Sequence, residues 1–120
     1  MATKTRKQWI KKCLDTWKLI IKKPQQCEYC KARNKQFHPH HIRYAWRLAT
    51  RFDLENGICL CAYCHRMVHQ DSIFDYEFMD WLIKLRGKEW YDDLCQRSEV
   101  TVKWQERELE DIYNQLKKQL

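Results

Sequence analysis

The sequence is poor in turn formers, with two glycines and two prolines in 120 residues. That argues against a turn-rich all-β fold and against a solenoid. Long apolar runs are missing too. The longest are a few residues, far below the roughly 20 that a membrane span needs, so no membrane protein is expected. The first twelve residues carry charge with no apolar stretch behind it, so no secretory leader is expected and the chain is placed in the cytoplasm. Internal repeats and low-complexity tracts are absent. What remains is 44% hydrophobic and 13% aromatic, which excludes global disorder and suits one compact domain. Seven cysteines in an unexported chain point to metal rather than to disulfides.

The net charge of +7 is unevenly spread. Residues 1–23 carry eight Lys and Arg against Asp15 alone, and residues 24–70 carry seven against Glu28, Asp53 and Glu55. Residues 71–120 reverse the sign, with eight against twelve acids. A polyanion would therefore meet the first two segments. All five histidines and the four paired cysteines lie in the second. A Lys-rich helix is also simply a solvated face, so charge alone does not decide for nucleic acid.

Apolar residues at three- and four-residue spacing predict a helix over 5–22, carrying Trp9, Ile10, Cys13, Leu14, Trp17, Ile20 and Ile21 and closed by Lys23-Pro24. Short strands are predicted at Phe37–Ile42 and Ile58–Cys61, the second following the turn pair Asn56-Gly57. Helices are predicted at Ala62–Gln70, Asp75–Arg86 with Phe78, Trp81, Leu82 and Leu85 inward, Lys88–Gln96, and Trp104–Leu120 with Leu109, Ile112, Tyr113, Leu116 and Leu120 as its stripe. The fold class is α+β, mostly α. A last helix of this kind offers a surface for a homodimer, although amphipathic helices more often cover their own core.

Cys27-x2-Cys30 and Cys61-x2-Cys64 are two knuckles. Four thiolates at tetrahedral corners suit a structural Zn²⁺. Cys59 lies two residues before Cys61 on the same strand face and competes with it, but only Cys61 makes the x2 spacing with Cys64. Cys13 and Cys95 read as small core residues. The 30 residues between the knuckles are more than a plain zinc ribbon needs, and they hold His38, His40, His41 and Asn56. His65 and His69 stand four apart on a predicted helix, so both imidazoles face one way, as two ligands of one ion do. His40 and His41 are neighbours on a predicted strand and point to opposite faces. One of them joins His65 and His69, and the other is free for proton chemistry.

Together, Cys27-x2-Cys30, His40-His41-Ile42, Asn56-Gly57-Ile58, Leu60-Cys61-x2-Cys64-His65 and His69 resemble the HNH endonucleases over residues 25–70. The intervals from His41 to Asn56, His65 and His69 are 15, 24 and 28 residues, similar to the colicin-type members. The resemblance implies a ββα-metal core on a four-cysteine zinc scaffold (residues 25–72), with a basic N-terminal helix (1–24) packed on it and a C-terminal helical extension (73–120). It implies His41 as general base, His40, His65 and His69 as ligands of a divalent catalytic ion, and Asn56 as the residue that fixes the loop between the strands and aims His41. It further implies DNA hydrolysis to a 5′-phosphate and a 3′-hydroxyl. An all-imidazole ligand set suits Zn²⁺, Ni²⁺ or Mn²⁺ better than Mg²⁺. Thr50–Gly57 with Leu60–His65 also resembles phage NinG/Rap-like recombination nucleases, which implies a phage-encoded chain working on DNA recombination or processing in the host cytoplasm.

Between the histidine pair and Asn56, Arg43, Arg47 and Arg51 would make one basic stripe if their segment is helical, and Arg66 would extend it toward DNA phosphates. Tyr44 and Trp46 either stack on or wedge into bases, or pack on the core. The competing reading of the whole chain is a non-catalytic zinc module that binds nucleic acid. It accounts for knuckles and charge but not for the two histidine pairs. A metal-dependent RNA nuclease is a third.

Overall fold

Thr5 starts the first helix. Its hydroxyl accepts from the Gln8 amide, and the Gln8 side chain accepts from the Thr5 amide, a reciprocal cap. In the computed structural model, which describes residues 4–120, α1 runs Arg6–Ile21. Strands β1 (Phe37–His41) and β2 (Gly57–Cys61) pair antiparallel, with His40 opposite Ile58 and His38 opposite Leu60. Helix α2 (Ala62–Gln70) follows β2 directly, and Cys61 Sγ caps it by accepting from the Cys64 amide. Helices α3 (Ser72–Arg86), α4 (Lys88–Ser98) and α5 (Glu106–Lys117) complete a mostly helical α+β fold around a ββα unit. Among the described residues no helix is long and apolar enough to cross a membrane.

Pro39 sits inside β1 without harm. The flanking bonds Ile42 N–H to Asn56 O and Ala62 N–H to Gln36 O place the hydrogen-bonded pairs at even positions of the strand. Pro39 therefore faces Cys59 in a pair that exchanges no bonds. The core has two parts. Ile58, Leu60, Val68, Phe78 and Leu82 pack with Cys27, Cys61 and Cys64. Trp17, Ile21, Cys13, Phe52, Leu109 and Leu116 form the second cluster, in which α5 covers α1.

Several expectations need correcting. Helix α3 begins at Ser72, not Asp75, because Asp71 Oδ1 accepts from the Ile73 and Phe74 amides and caps it earlier. Leu85 and Leu120 are exposed. Leu85 sits in the last turn before Gly87, whose φ of 101° swings the chain away into α4, and Leu120 lies beyond the end of α5. Cys95 is only half-buried. Gly57 has extended φ, so its requirement is space rather than a turn: a Cβ there would stand 2.4 Å from Ile21 Cδ1 and 2.8 Å from Trp17 Cζ2. The missing side chain is what lets α1 close on β2.

The segment carrying Arg43, Arg47 and Arg51 is a chain of turns with three-residue bonds, such as Thr50 N–H to Arg47 O and Asp53 N–H to Thr50 O, so the helical stripe does not form. Side chains from other elements take carbonyls in and just after this segment. Trp17 Nε1 donates to Asp53 O, Trp90 Nε1 to Glu55 O and Trp104 Nε1 to Leu48 O. Arg86 donates to Glu55 O and Gly57 O. The loop is thus tied to α1, α3, α4 and the segment before α5.

Candidate active site

The knuckles bring Cys27, Cys30, Cys61 and Cys64 together, with all four sulfurs within 4.8 Å of one another. Lys31 adopts a φ of 66° and its amide donates to Cys27 O, which closes the first knuckle tightly enough for the Cys30 amide to reach Cys27 Sγ. Cys30 and Cys61 sulfurs are 3.8 Å apart. Two sulfurs about 2.3 Å from one tetrahedral ion stand about 3.8 Å apart, so the donor set and its spacing fit zinc. Burial raises the Cys30 and Cys64 thiols, whereas at Cys27 the Cys30, Cys61 and Tyr29 backbone bonds outweigh burial and bring the group down to about 7, so Cys27 is the sulfur most ready to ligate as thiolate. Cys59 lies outside the group. Its amide donates to the Glu28 carboxylate and its carbonyl accepts from the Glu28 amide.

In a second cluster, His40 from β1 meets His65 and His69 from α2, their ligand nitrogens within 4.8 Å of one another. His65 Nε2 and His69 Nε2 are 3.2 Å apart. Two imidazole nitrogens about 2.0–2.1 Å from one tetrahedral ion stand about 3.3 Å apart, so this donor set fits a divalent ion as well. Burial, then His65, His69 and His41, push His40 down to about 3. Burial, then His69 and His38, push His65 down to about 4. Both rings are therefore neutral near pH 7, the form that ligates.

His41 does point away from this trio, as strand alternation requires. Its ring lies on the indole of Trp17, centroids 3.9 Å apart and planes 9° from parallel. Its Nε2–H donates to Arg51 O at 2.9 Å; a carbonyl only accepts, so the lone pair is on Nδ1. Among the described residues nothing hydrogen-bonds that Nδ1. Burial lowers the His41 pKa below its ordinary value, the Arg51 carbonyl opposes this, and the charges of Arg51 and Lys18 add to it. His40, His41, His65 and His69 line one cavity of about 570 Å³, together with Asp75, Tyr91, Tyr44 and Trp46.

Asn56 is completely buried. Its Oδ1 accepts from the Arg43 amide at 2.6 Å, and its Nδ2 donates to Thr50 O and Arg43 O. Its own carbonyl accepts from the Ile42 amide. It thus grips both ends of the loop, and the Thr50 it holds is next to the Arg51 carbonyl that holds His41. The arginines differ from one another. Arg43 donates to Ser98 Oγ and pairs with Glu99, and Arg47 pairs with the same carboxylate at 3.7 Å. The Nε atoms of Arg47 and Arg51 are buried without a partner. Arg66 is exposed on α2, its guanidinium 5.7 Å from the Tyr63 ring centroid.

Sequence reasoning gave no role to His38. Its Nδ1 lies 2.9 Å from His65 Nδ1, so it bonds the ring nitrogen that the trio does not use. Strand alternation carries the hint, since His38 and His40 share a face of β1. Nor did it foresee Trp17, Trp90 and Trp104 as ties of the loop, because nothing local marks a distant indole as a donor. Residues 27–71 match the family model described as HNH endonuclease. No curated protein and no solved structure matches the chain.

Proposed function

We propose, from the match of residues 27–71 to the HNH endonuclease family model, that this chain is a metal-dependent endonuclease that hydrolyses DNA phosphodiester bonds. The observation that carries it is the convergence of His40, His65 and His69 within 4.8 Å beside a fourth imidazole that shares their cavity. A zinc module that only binds nucleic acid has no use for that second centre.

In this reading Cys27, Cys30, Cys61 and Cys64 hold structural zinc, and His40, His65 and His69 hold the exchangeable ion, with Zn²⁺, Ni²⁺ and Mn²⁺ preferred over Mg²⁺ by the nitrogen ligands. The ion supplies Lewis-acid stabilisation of charge on the phosphate and the leaving oxygen. His41 Nδ1 takes the proton of a water whose oxygen bonds to phosphorus. The P–O3′ bond breaks, the 3′ oxygen takes a proton from solvent, and the products carry a 5′-phosphate and a 3′-hydroxyl. Arg51 O and Trp17 keep the His41 ring in its tautomer and orientation, and Asn56 keeps the loop that bears Arg51. Arg43, Arg47, Arg51 and Arg66 provide phosphate contacts, with the basic residues of α1 extending the surface. The likeness of Thr50–Gly57 and Leu60–His65 to phage recombination nucleases favours a phage-encoded enzyme of DNA recombination or processing.

The test is conversion of supercoiled plasmid to nicked and linear forms by zinc-loaded protein with Mn²⁺, Ni²⁺, Zn²⁺ or Mg²⁺ added, and its loss on chelation. Retained DNA binding with no cleavage under any of these ions assigns the chain to the non-catalytic class instead. His38 gives a finer check. A partner on the far nitrogen of a ligating imidazole fixes the ring, and its loss typically costs about 10–100-fold in metal affinity. His38→Ala should weaken ion binding at the three-histidine centre by that factor, read by calorimetric titration of protein already holding its zinc. Unchanged affinity removes His38 from the role.

A further inference from the structure

Tyr44 and Trp46 are the two large aromatic side chains that line the histidine cavity and yet stay open to solvent, 57% and 65% exposed. They do not pack on the core. They lie on each other, centroids 5.6 Å apart and planes 14° from parallel. Arg47 sits over the Trp46 ring at 4.3 Å and Arg43 near the Tyr44 ring at 5.2 Å. The column of flat groups stands on the loop that Asn56 and the three indoles tie at Arg43, Leu48, Thr50, Asp53 and Glu55, on either side of the rings.

Duplex DNA offers such a column nothing. Every base face in an intact helix is covered by its neighbours, and uncovering one costs a few kcal/mol of unstacking. An unpaired nucleotide is different: its face is free, and aromatic stacking accepts any base. We propose that Tyr44 and Trp46 are a stacking subsite for an unpaired base adjoining the phosphodiester that is cut, so that the substrate class is DNA with single-stranded nucleotides at the cleavage point. The place of cleavage rests on the nuclease reading, and the stacking of the base does not.

The test uses the full chain and three DNAs of one sequence: a continuous duplex, the same duplex with a short unpaired gap, and the single strand. Cleavage is followed with Mn²⁺, and binding is followed by fluorescence anisotropy with no divalent ion added. Neither ring is buried, so Trp46→Ala and Tyr44→Ala take no packing from the core. Wild type is expected to bind and cleave the gapped and single-stranded DNAs about 5–150-fold better than the duplex, the range that stacking of one base represents. Trp46→Ala should cost the gapped and single-stranded DNAs most of that preference and the duplex far less, whereas Trp46→Phe should keep most of the preference. Equal treatment of all three DNAs by wild type overturns the proposal and leaves the nuclease reading standing. An equal loss on duplex and gapped DNA in Trp46→Ala also overturns it, because the rings then wedge into paired helix. Trp46-dependent binding of single strands without cleavage of any DNA keeps the subsite and removes the nuclease reading. Absence of both binding and cleavage removes both.

Discussion

His41→Ala should lower the cleavage rate by about 10²–10⁴-fold, the usual contribution of a general base, while the three-histidine centre keeps its ion and the chain keeps its affinity for DNA. The ring's Nε2 is spent on Arg51 O and its Nδ1 belongs to no ligand set, so its removal takes away proton transfer without removing a metal donor. His40→Ala or His69→Ala should instead lose ion and activity together. Because the ring also packs on Trp17, His41→Asn and a thermal melt accompany the alanine variant, separating lost chemistry from lost packing. Asn56→Ala should fall between them, slower but still loaded with ion, since it frees the loop and leaves the ligands in place. The pH profile carries the same assignment. Burial holds His41 below the ordinary imidazole value, so the neutral base survives into mild acid. With saturating ion the acid limb of the rate should lie below about pH 6.5, rising as pH rises through it. A limb above pH 7, or near wild-type cleavage by His41→Ala, excludes His41 as the base.

The second large effect concerns the knuckles. Elemental analysis should find one tightly held zinc per chain, and Cys30→Ser should lose it together with much of the thermal stability. Apparent binding energies of structural zinc are about 10–16 kcal/mol in small zinc domains, comparable with or larger than the whole stability of a domain this size. The consequence reaches the histidines through one atom. Cys61 Sγ caps α2 by accepting from Cys64 N–H, and α2 carries His65 and His69. Cys30→Ser should therefore lose activity even at saturating catalytic ion, whereas His65→Ala should lose activity and keep zinc and melting temperature. Folded protein free of zinc contradicts this.

What was readable in the sequence was whatever depends on neighbours along the chain. The four-residue step from His65 to His69, the x2 knuckles and the alternation of His40 and His41 are local periodicities, and the fold obeys each. The loop between the strands was not readable, because its shape is decided by Trp17, Trp90, Trp104 and Arg86, which reach its carbonyls from other elements. Arg43, Arg47 and Arg51 look like a stripe only while those donors are ignored. Gly57 reads as a turn former, but its importance is the clearance it leaves for Ile21 and Trp17, and clearance has no local signature. Asp71 was the exception: its capping of α3 was legible in principle, since Asp ahead of Ser72 and an apolar run is a helix start.

The flat contact between Trp17 and His41 joins two stretches of chain that the family match divides. Trp17 lies upstream of the segment 27–71 that matches the HNH family. Cutting that segment out, or grafting it into another chain, would carry along every proposed ion ligand and the proposed base, but not the surface on which the base rests. A graft would need a new flat, apolar neighbour for the imidazole, and a glycine opposite it to admit that neighbour. Natural variation should follow the same rule. Substitutions at Trp17, Ile21 and Gly57 should be bound to one another by the space they share, so that a side chain at Gly57 is expected only beside a smaller residue at position 17 or 21. Helix α1 is in that sense part of the proposed site, although it supplies none of the histidines.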